Sequence, residues 1–499
     1  MPLFPSILVS CEDKNDNGSS VFPQGIGSGD PKPNGIVLWT RVNPEIFDNH
    51  QITVEISEDS SFRDILISKT EYINLQENFT VKSYITSSKL NPWQKYYYRF
   101  RYKNHLSSIG MFKTLPEKNQ EIEKVRFGVL NCQDYSVGNF YAHRYLAQED
   151  LDFVLFLGDY IYEYSFDKEA DKVLRKLNLP SGNEIASALE DYYYLYNTYK
   201  SDMYLQELHR KFPFLVVWDD HEYANDCYGY NAPDHFIKDE EYLKNLRTAA
   251  SKAWFYSMPV DVQVESFDKI KIYREFCFGD LMKIILTDER SYRSSHPCGE
   301  RKFQRYLSQG CGEEKSPDRT MLGEEQLNWF FYQLSSNEQR WTVWANPVAF
   351  MKLKLDNRYI SFDSWDGYQY ERDLILQKIK QIQLKNLFIL TGDLHSFVGG
   401  FAQLDEENIV PEFITTSATS SNLDEIVPID VDLLESLVSL ENEHIKYFNS
   451  STNGYTIVEM TKDYTDIIFK SVDIQNADKG IKIKRNFRLY LNNTKFIEY

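Results

Sequence analysis

The sequence predicts an α/β domain preceded by a smaller β-sandwich, on three observations. From residue 125 onward, apolar runs without polar breaks alternate with stretches of helical spacing, the pattern of a mostly parallel sheet covered by helices. Several of these runs stop abruptly in polar clusters, where open α/β sheets place their sites. Before residue 116 the text changes to short alternating runs between turn residues, with no helical period.

Residues 1–20 read as a signal-like segment and tether. Met1 to Ser10 is mostly apolar and ends Leu8-Val9-Ser10-Cys11, and the stretch from Glu12 to Ser20 is polar. That order resembles a bacterial lipoprotein signal, with Cys11 acylated and a flexible linker behind it, although no Lys or Arg precedes the apolar run. The expectation is a periplasmic or cell-surface protein with a lipid anchor at Cys11. Residues 21–116 form the β-sandwich, through runs such as Gly35 to Arg41, Ile52 to Ile56 and Tyr96 to Tyr102. Pro116 to Glu121 is the linker, and residues 125–499 are the α/β domain.

Six apolar runs in that domain carry chemistry at their ends. Val125–Leu130 ends at Asn131-Cys132-Gln133, and Phe153–Leu157 at Gly158-Asp159, with Tyr162 three positions on. Phe214–Trp218 ends at Asp219-Asp220-His221-Glu222, and Lys283–Leu286 at Thr287-Asp288-Glu289-Arg290, with Arg293 beyond. Trp341–Trp344 ends at Ala345-Asn346, and Leu387–Leu390 at Thr391-Gly392-Asp393-Leu394-His395. Gly158 permits a sharp turn and a close backbone approach. One such end is an ordinary helix cap; six sharing one sheet edge would bring their ligands together. Helical stretches cover 184–210, 240–256 and 323–334, and strand-like text returns after Gly454. His143, His209 and His296 read as surface or helix structure.

Composition narrows the function. A formal net charge of −19 over 499 residues, with no evident basic face, argues against a nucleic-acid partner. A phosphate substrate would then need a local positive centre, which a metal can supply. No run of about 18 apolar residues occurs that could span a membrane. With Cys11 lipidated and Cys132 on a metal, four of the six cysteines remain and allow three pairings. Cys298 and Cys311 bracket a short glycine-ended loop and form the preferred disulfide; the alternative is free thiols in a reducing compartment. A monomer is expected.

Thiolate and imidazole suit borderline transition metals, and phenolate and carboxylate suit hard trivalent ions. Cys132, Asp159, Tyr162 and His395 therefore make a mixed set suited to ferric iron. Asp159, Asp220 and Asp393 suit a harder divalent ion such as calcium, with Asp159 as the bridge. Two ions about 3.5–4 Å apart can clamp a phosphate and make hydroxide available at neutral pH. His221 could protonate the leaving alcohol, and Arg290 and Arg293 could hold non-bridging oxygens. The plainer alternative for the arginines is an ion-pair network with Asp288.

Taken together, FPQGIGSGDPKPNGIVLWTRV at Phe22 to Val42, Asn131-Cys132-Gln133, GDYIYE from Gly158, WDDHE from Trp218, WDGY from Trp365 with Glu371-Arg372, and GDLH from Gly392 resemble the PhoD-like phosphatases. The resemblance implies an immunoglobulin-like N-terminal domain and a calcineurin-like metallophosphatase α/β sandwich. It implies Fe(3+) on Cys132, Asp159, Tyr162 and His395, and Ca(2+) on Asp159, Asp220 and Asp393, with Asn346 a weaker candidate. It also implies phosphomonoesterase or phosphodiesterase activity outside the cytoplasm. Asn131 departs from the family's usual Ser before the cysteine. Two further readings stand beside phosphomonoester hydrolysis. One is a preference for polymeric or lipid phosphodiesters; the other is a surface-tethered binding protein whose metal site is structural.

Overall fold

The computed structural model describes residues 21–170, 172–427 and 429–499. The expected class holds: an α/β core follows an N-terminal β region. The lipoprotein-like segment with Cys11 lies outside the described residues.

The six polar-ended strands do not share one sheet. Lys124–Leu130, Phe153–Leu157 and Pro213–Val217 are parallel neighbours in a ten-stranded sheet. Met282–Leu286, Trp341–Asn346 and Leu387–Thr391 are parallel neighbours in a seven-stranded sheet. Side-chain alternation explains how the two layers stack. Ile284, Leu286, Val343, Phe388 and Leu390 share one hydrophobic core with Val129, Leu155, Phe156 and Val216 of the larger sheet. Ile285, Trp344, Leu387 and Ile389 face the opposite way, into a second core with Phe330 and Leu334 of the helix Gly323–Ser335 and Ile375, Leu376 and Ile379 of Gln369–Gln381. Strands apolar on both faces are what a sheet covered on both sides requires.

The N-terminal β region does not keep to itself. Ile26–Lys32 pairs parallel with Pro213–Val217, so the strands 26–32, 35–41 and 80–86 extend the ten-stranded sheet at one edge. A separate sheet of 67–72, 51–57, 95–102 and 105–106, with 110–113 also paired to 95–102, packs over them around Ile36, Leu38, Val54, Tyr98 and Phe100. At the other edge the chain beyond Gly454 adds four antiparallel strands, 454–461, 464–472, 481–490 and 496–498.

The expected helical stretch 184–210 is broken in two. Asp202 accepts from the amides of Tyr204 and Leu205, so it caps the helix Met203–Lys211 and ends Leu189–Tyr199 before it. The helix Glu240–Ser257 matches its expectation. Cys298 and Cys311 form a disulfide, while Cys227 and Cys277 are free. His143 and His209 do lie in helices, both buried. His296 lies in neither setting: it is a buried loop residue, held between Asp363 and Glu300. Among the described residues no helix is long and apolar enough to cross a membrane.

Candidate metal centre

The carboxyl ends of the two sets of parallel strands meet at one place, and the backbone there is unusual. Cys132, Asp159, Asp393 and His395 all have left-handed φ values, between +50° and +64°. Non-glycine residues held there cost on the order of 1–3 kcal/mol each, and such strain gathers at functional sites. Gly158, at φ +96°, allows the chain to turn against Asp219: a Cβ added there would lie 2.4 Å from the Asp219 Cβ. Glu222 secures the same corner by accepting from the amides of Asp159, Tyr160 and Asp219.

Cys132, Asp159 and His395 present donor atoms within 4.8 Å of one another. The Cys132 thiol donates to Asp159 Oδ2 at 3.2 Å, and Tyr162 Oη lies 3.4 Å from both Asp159 Oδ2 and His395 Nε2. His395 Nδ1 stands 2.6 Å from the Ser421 carbonyl, which leaves Nε2 turned to the cluster. The Ser420 hydroxyl lies 2.7 Å from Tyr162 Oη, so the segment that follows the strand Glu407–Ile414 closes over this side. Asp219, Asp220 and Asp393 form a second group within the same span, and Asp159, Asp220 and His221 a third. Sulfur, carboxylate, phenol and imidazole from chain positions 132 to 395 thus share one neighbourhood.

Electrostatics shows that this donor set fits cations. Burial, with the charges of neighbouring Asp220 and Asp219, pushes Asp159 well above the ordinary carboxylate range. Asp393 is pushed up by burial and Asp219. The Cys132 thiol is also raised, by burial first and then by Asp159 and Asp393, and the Tyr162 phenol by burial first and then by Cys132 and Asp159. Burial takes His395 down to about 4, which keeps its imidazole neutral, as a ligand must be. Asp219 Oδ2 is buried with no hydrogen-bond partner. Like-charged acceptors packed this closely call for a positive charge between them.

His221 adjoins the cluster and is partly buried, its side chain 13% exposed. Its backbone N–H reaches Asp220 Oδ1 at 3.0 Å, and its Nδ1 stands 2.6 Å from Glu163 Oε2. Burial works against a charged imidazole, but Glu163, Asp220 and Asp159 outweigh it and raise the His221 pKa well above its usual value.

The arginines stand differently from the expectation. Arg290 is fully buried, with Nε on Asp219 and Nη1 on Asp363 at 2.5 Å; only Nη2 is left, 3.5 Å from Asp220 and 3.7 Å from Asp393. Arg293 spends its nitrogens on the Cys227, Asp226 and Asp363 carbonyls and the Asp363 carboxylate. Both grip carboxylates rather than facing an opening. The partner is Asp363 instead of Asp288, whose Oδ1 accepts from Trp218 Nε1. Asn346 also turns away: its Oδ1 accepts from Trp365 Nε1 and its Nδ2 donates to Val348 O. Sequence reasoning assigned no role to Asp363, Glu163 or Ser420. Asp363 stands two residues before the WDGY stretch, and Glu163 ends GDYIYE, so both lay beside motifs already singled out.

Known proteins match this chain over most of its length. The PhoD-like phosphatase family model matches residues 127–469, and the model of that family's N-terminal domain matches 9–116. Alkaline phosphatase D of Bacillus subtilis (strain 168) is 32% identical over 456 residues, 88% of this chain and 76% of the relative. A solved structure of PhoD superposes with a TM-score of 0.87 at 29% identity, covering 100% of this chain and 93% of that one.

Proposed function

Since the chain belongs to the PhoD-like phosphatase family, and is a hydrolase of phosphate esters, we propose that two cations work at the converged strand ends. Cys132, Asp159, Tyr162 and His395 hold ferric iron; Asp159, Asp220 and Asp393 hold calcium. Bound there, the ions would neutralise phosphate charge and lower the pKa of water from about 15.7 towards 7.

The chain's own residues do the rest. Glu163 fixes His221 through Nδ1, which leaves Nε2 to give a proton to the departing alkoxide. Glu222 and Gly158 hold the two turns that carry Asp159 and Asp220, so the ligands are in place before substrate arrives. Arg290 and Arg293 act behind the site, keeping the carboxylates oriented, and do not touch substrate.

The single observation that carries this reading is the gathering of Cys132, Asp159, Tyr162 and His395 from three strand ends. The direct test is turnover of a chromogenic phosphate ester before and after calcium chelation. Activity should vanish with the chelator and return with calcium chloride; turnover indifferent to chelation would defeat the assignment of the calcium site.

A second reading, that phosphodiesters are the better substrates, is favoured by the commitment of Arg290 and Arg293 to carboxylates. A diester carries one negative charge where a monoester dianion carries two, and needs less fixed positive charge. The ratio of kcat/KM for matched diester and monoester substrates decides it. The resemblance of residues 1–20 to a lipoprotein signal supports an exported, lipid-anchored enzyme, and the oxidised Cys298–Cys311 pair agrees with export.

A further inference from the structure

Asp363 gathers three cationic or protonatable side chains on one buried carboxylate. Its Oδ2 accepts from Arg290 Nη1 at 2.5 Å; its Oδ1 accepts from Arg293 Nη2 and lies 2.8 Å from His296 Nε2. His296 Nδ1 in turn stands 2.7 Å from Glu300, a carboxylate one-third exposed.

Two routes lead from Asp363 to the same ligand. A guanidinium is a rigid planar fork, so fixing two of its nitrogens fixes the third. With Nε on Asp219 and Nη1 on Asp363, Arg290 can aim Nη2 only at the edge shared by Asp220 and Asp393, where it has no hydrogen-bond partner. The other route runs through the backbone. Arg293, held by Asp363, binds the carbonyls of Asp226 and Cys227, and the Asp226 N–H donates to Asp220 Oδ2 at 2.6 Å. Asp220 is thus oriented from both sides by groups that Asp363 anchors.

We propose that Asp363 is a positioning residue that sets the geometry of the Asp220–Asp393 edge, and through it the affinity of that edge for a divalent cation. The inference rests on the reading of that edge as the calcium side of a phosphoester hydrolase. A merely structural ion cluster would cost stability when broken but would leave cation affinity alone in whatever protein remained folded.

Calorimetric titration of calcium chloride into the metal-depleted full chain separates the two. Asp363→Asn, which keeps the shape and removes the charge, should weaken binding by about 10–100-fold, the range seen when a group that holds a metal ligand is lost. With calcium saturating, KM for a chromogenic ester should stay within about twofold while kcat falls, because the substrate's own contacts are untouched. If Asp363→Asn does not melt cooperatively, Glu300→Gln, near the surface and two hydrogen bonds from Asp363, carries the test and should weaken calcium binding in the same direction. Wild-type affinity in the folded variant overturns the inference. A wild-type protein that neither binds calcium nor hydrolyses esters overturns the reading beneath it, and the inference with it.

Discussion

Replacing Gly158 with alanine tests how tightly the two ligand-bearing turns are held together. The residue has φ +96°, and an added Cβ would meet the Asp219 Cβ at 2.4 Å, its N at 2.6 Å and its Cα at 3.1 Å. A side chain forced into that conformation costs on the order of 1–3 kcal/mol. The clash is with backbone, so rotamer changes cannot relieve it, and overpacking adds about 1–3 kcal/mol. Together the loss is roughly 2–6 kcal/mol, a large part of the 5–15 kcal/mol by which a typical domain is stable. The functional effect is larger in proportion. Gly158 and Asp219 immediately precede Asp159 and Asp220, so relief of the clash drives two ligands apart, and a displacement near 1 Å costs about 10²-fold in rate. Urea denaturation gives the stability change, and kcat/KM on a chromogenic phosphate ester gives the activity change. A Gly158→Ala protein within about 0.5 kcal/mol of wild type and fully active would refute the close-approach argument.

Two further outcomes follow from other parts of the structure. Glu163→Gln should leave His221 without the carboxylate that orients and charges it, and should lower kcat by at least about tenfold, short of the 10²–10⁴-fold a whole general acid contributes; an unchanged kcat removes His221 from the mechanism. His143 is buried in the helix Tyr141–Leu146 with its pKa lowered by burial to about 3, against 6.5 for an ordinary histidine. The unfolded chain therefore binds the proton first, and stability falls as pH drops from 6.5 towards 3, by up to about 1.4 kcal/mol per unit. Stability measured across that window should fall less steeply in His143→Phe than in wild type, and parallel slopes would show that His143 does not titrate as described.

Much of this architecture was legible in the text because buried parallel strands are apolar on both faces and end where chemistry begins. The same property hid the division into two sheets. A strand such as Val154–Leu157 carries no polar face to say which neighbours it takes, so 124–130, 153–157 and 213–217 looked equivalent to 282–286, 341–346 and 387–391. The pairing of Ser28 and Gly29 with Pro213 and Phe214 is likewise a matter of tertiary packing, since nothing local in the 26–32 strand specifies a parallel partner nearly two hundred residues on. Residue type singled out Cys132, Asp159, Tyr162 and His395, whose chemistries are distinctive, and the fold brings them together. Residue type was a poor guide for Arg290 and Arg293, because a guanidinium serves a phosphate and a carboxylate equally well. Only the position of Asp363, seventy residues further along, decides between them. Asn346 shows a related ambiguity: an amide at a strand end can be a ligand or can bind an indole, and here its oxygen accepts from Trp365 Nε1.

The central claim is that a thiol, a carboxylate, a phenol and an imidazole from three separate strand ends grip a single ion. The visible absorption spectrum of the purified protein, taken with its metal content, tests this most directly. Ferric iron held by the Cys132 thiolate and the Tyr162 phenolate should give an intense charge-transfer band that shifts in Cys132→Ser, with loss of iron. An iron-loaded protein without such a band, or one whose band and iron content ignore Cys132→Ser, would contradict the account.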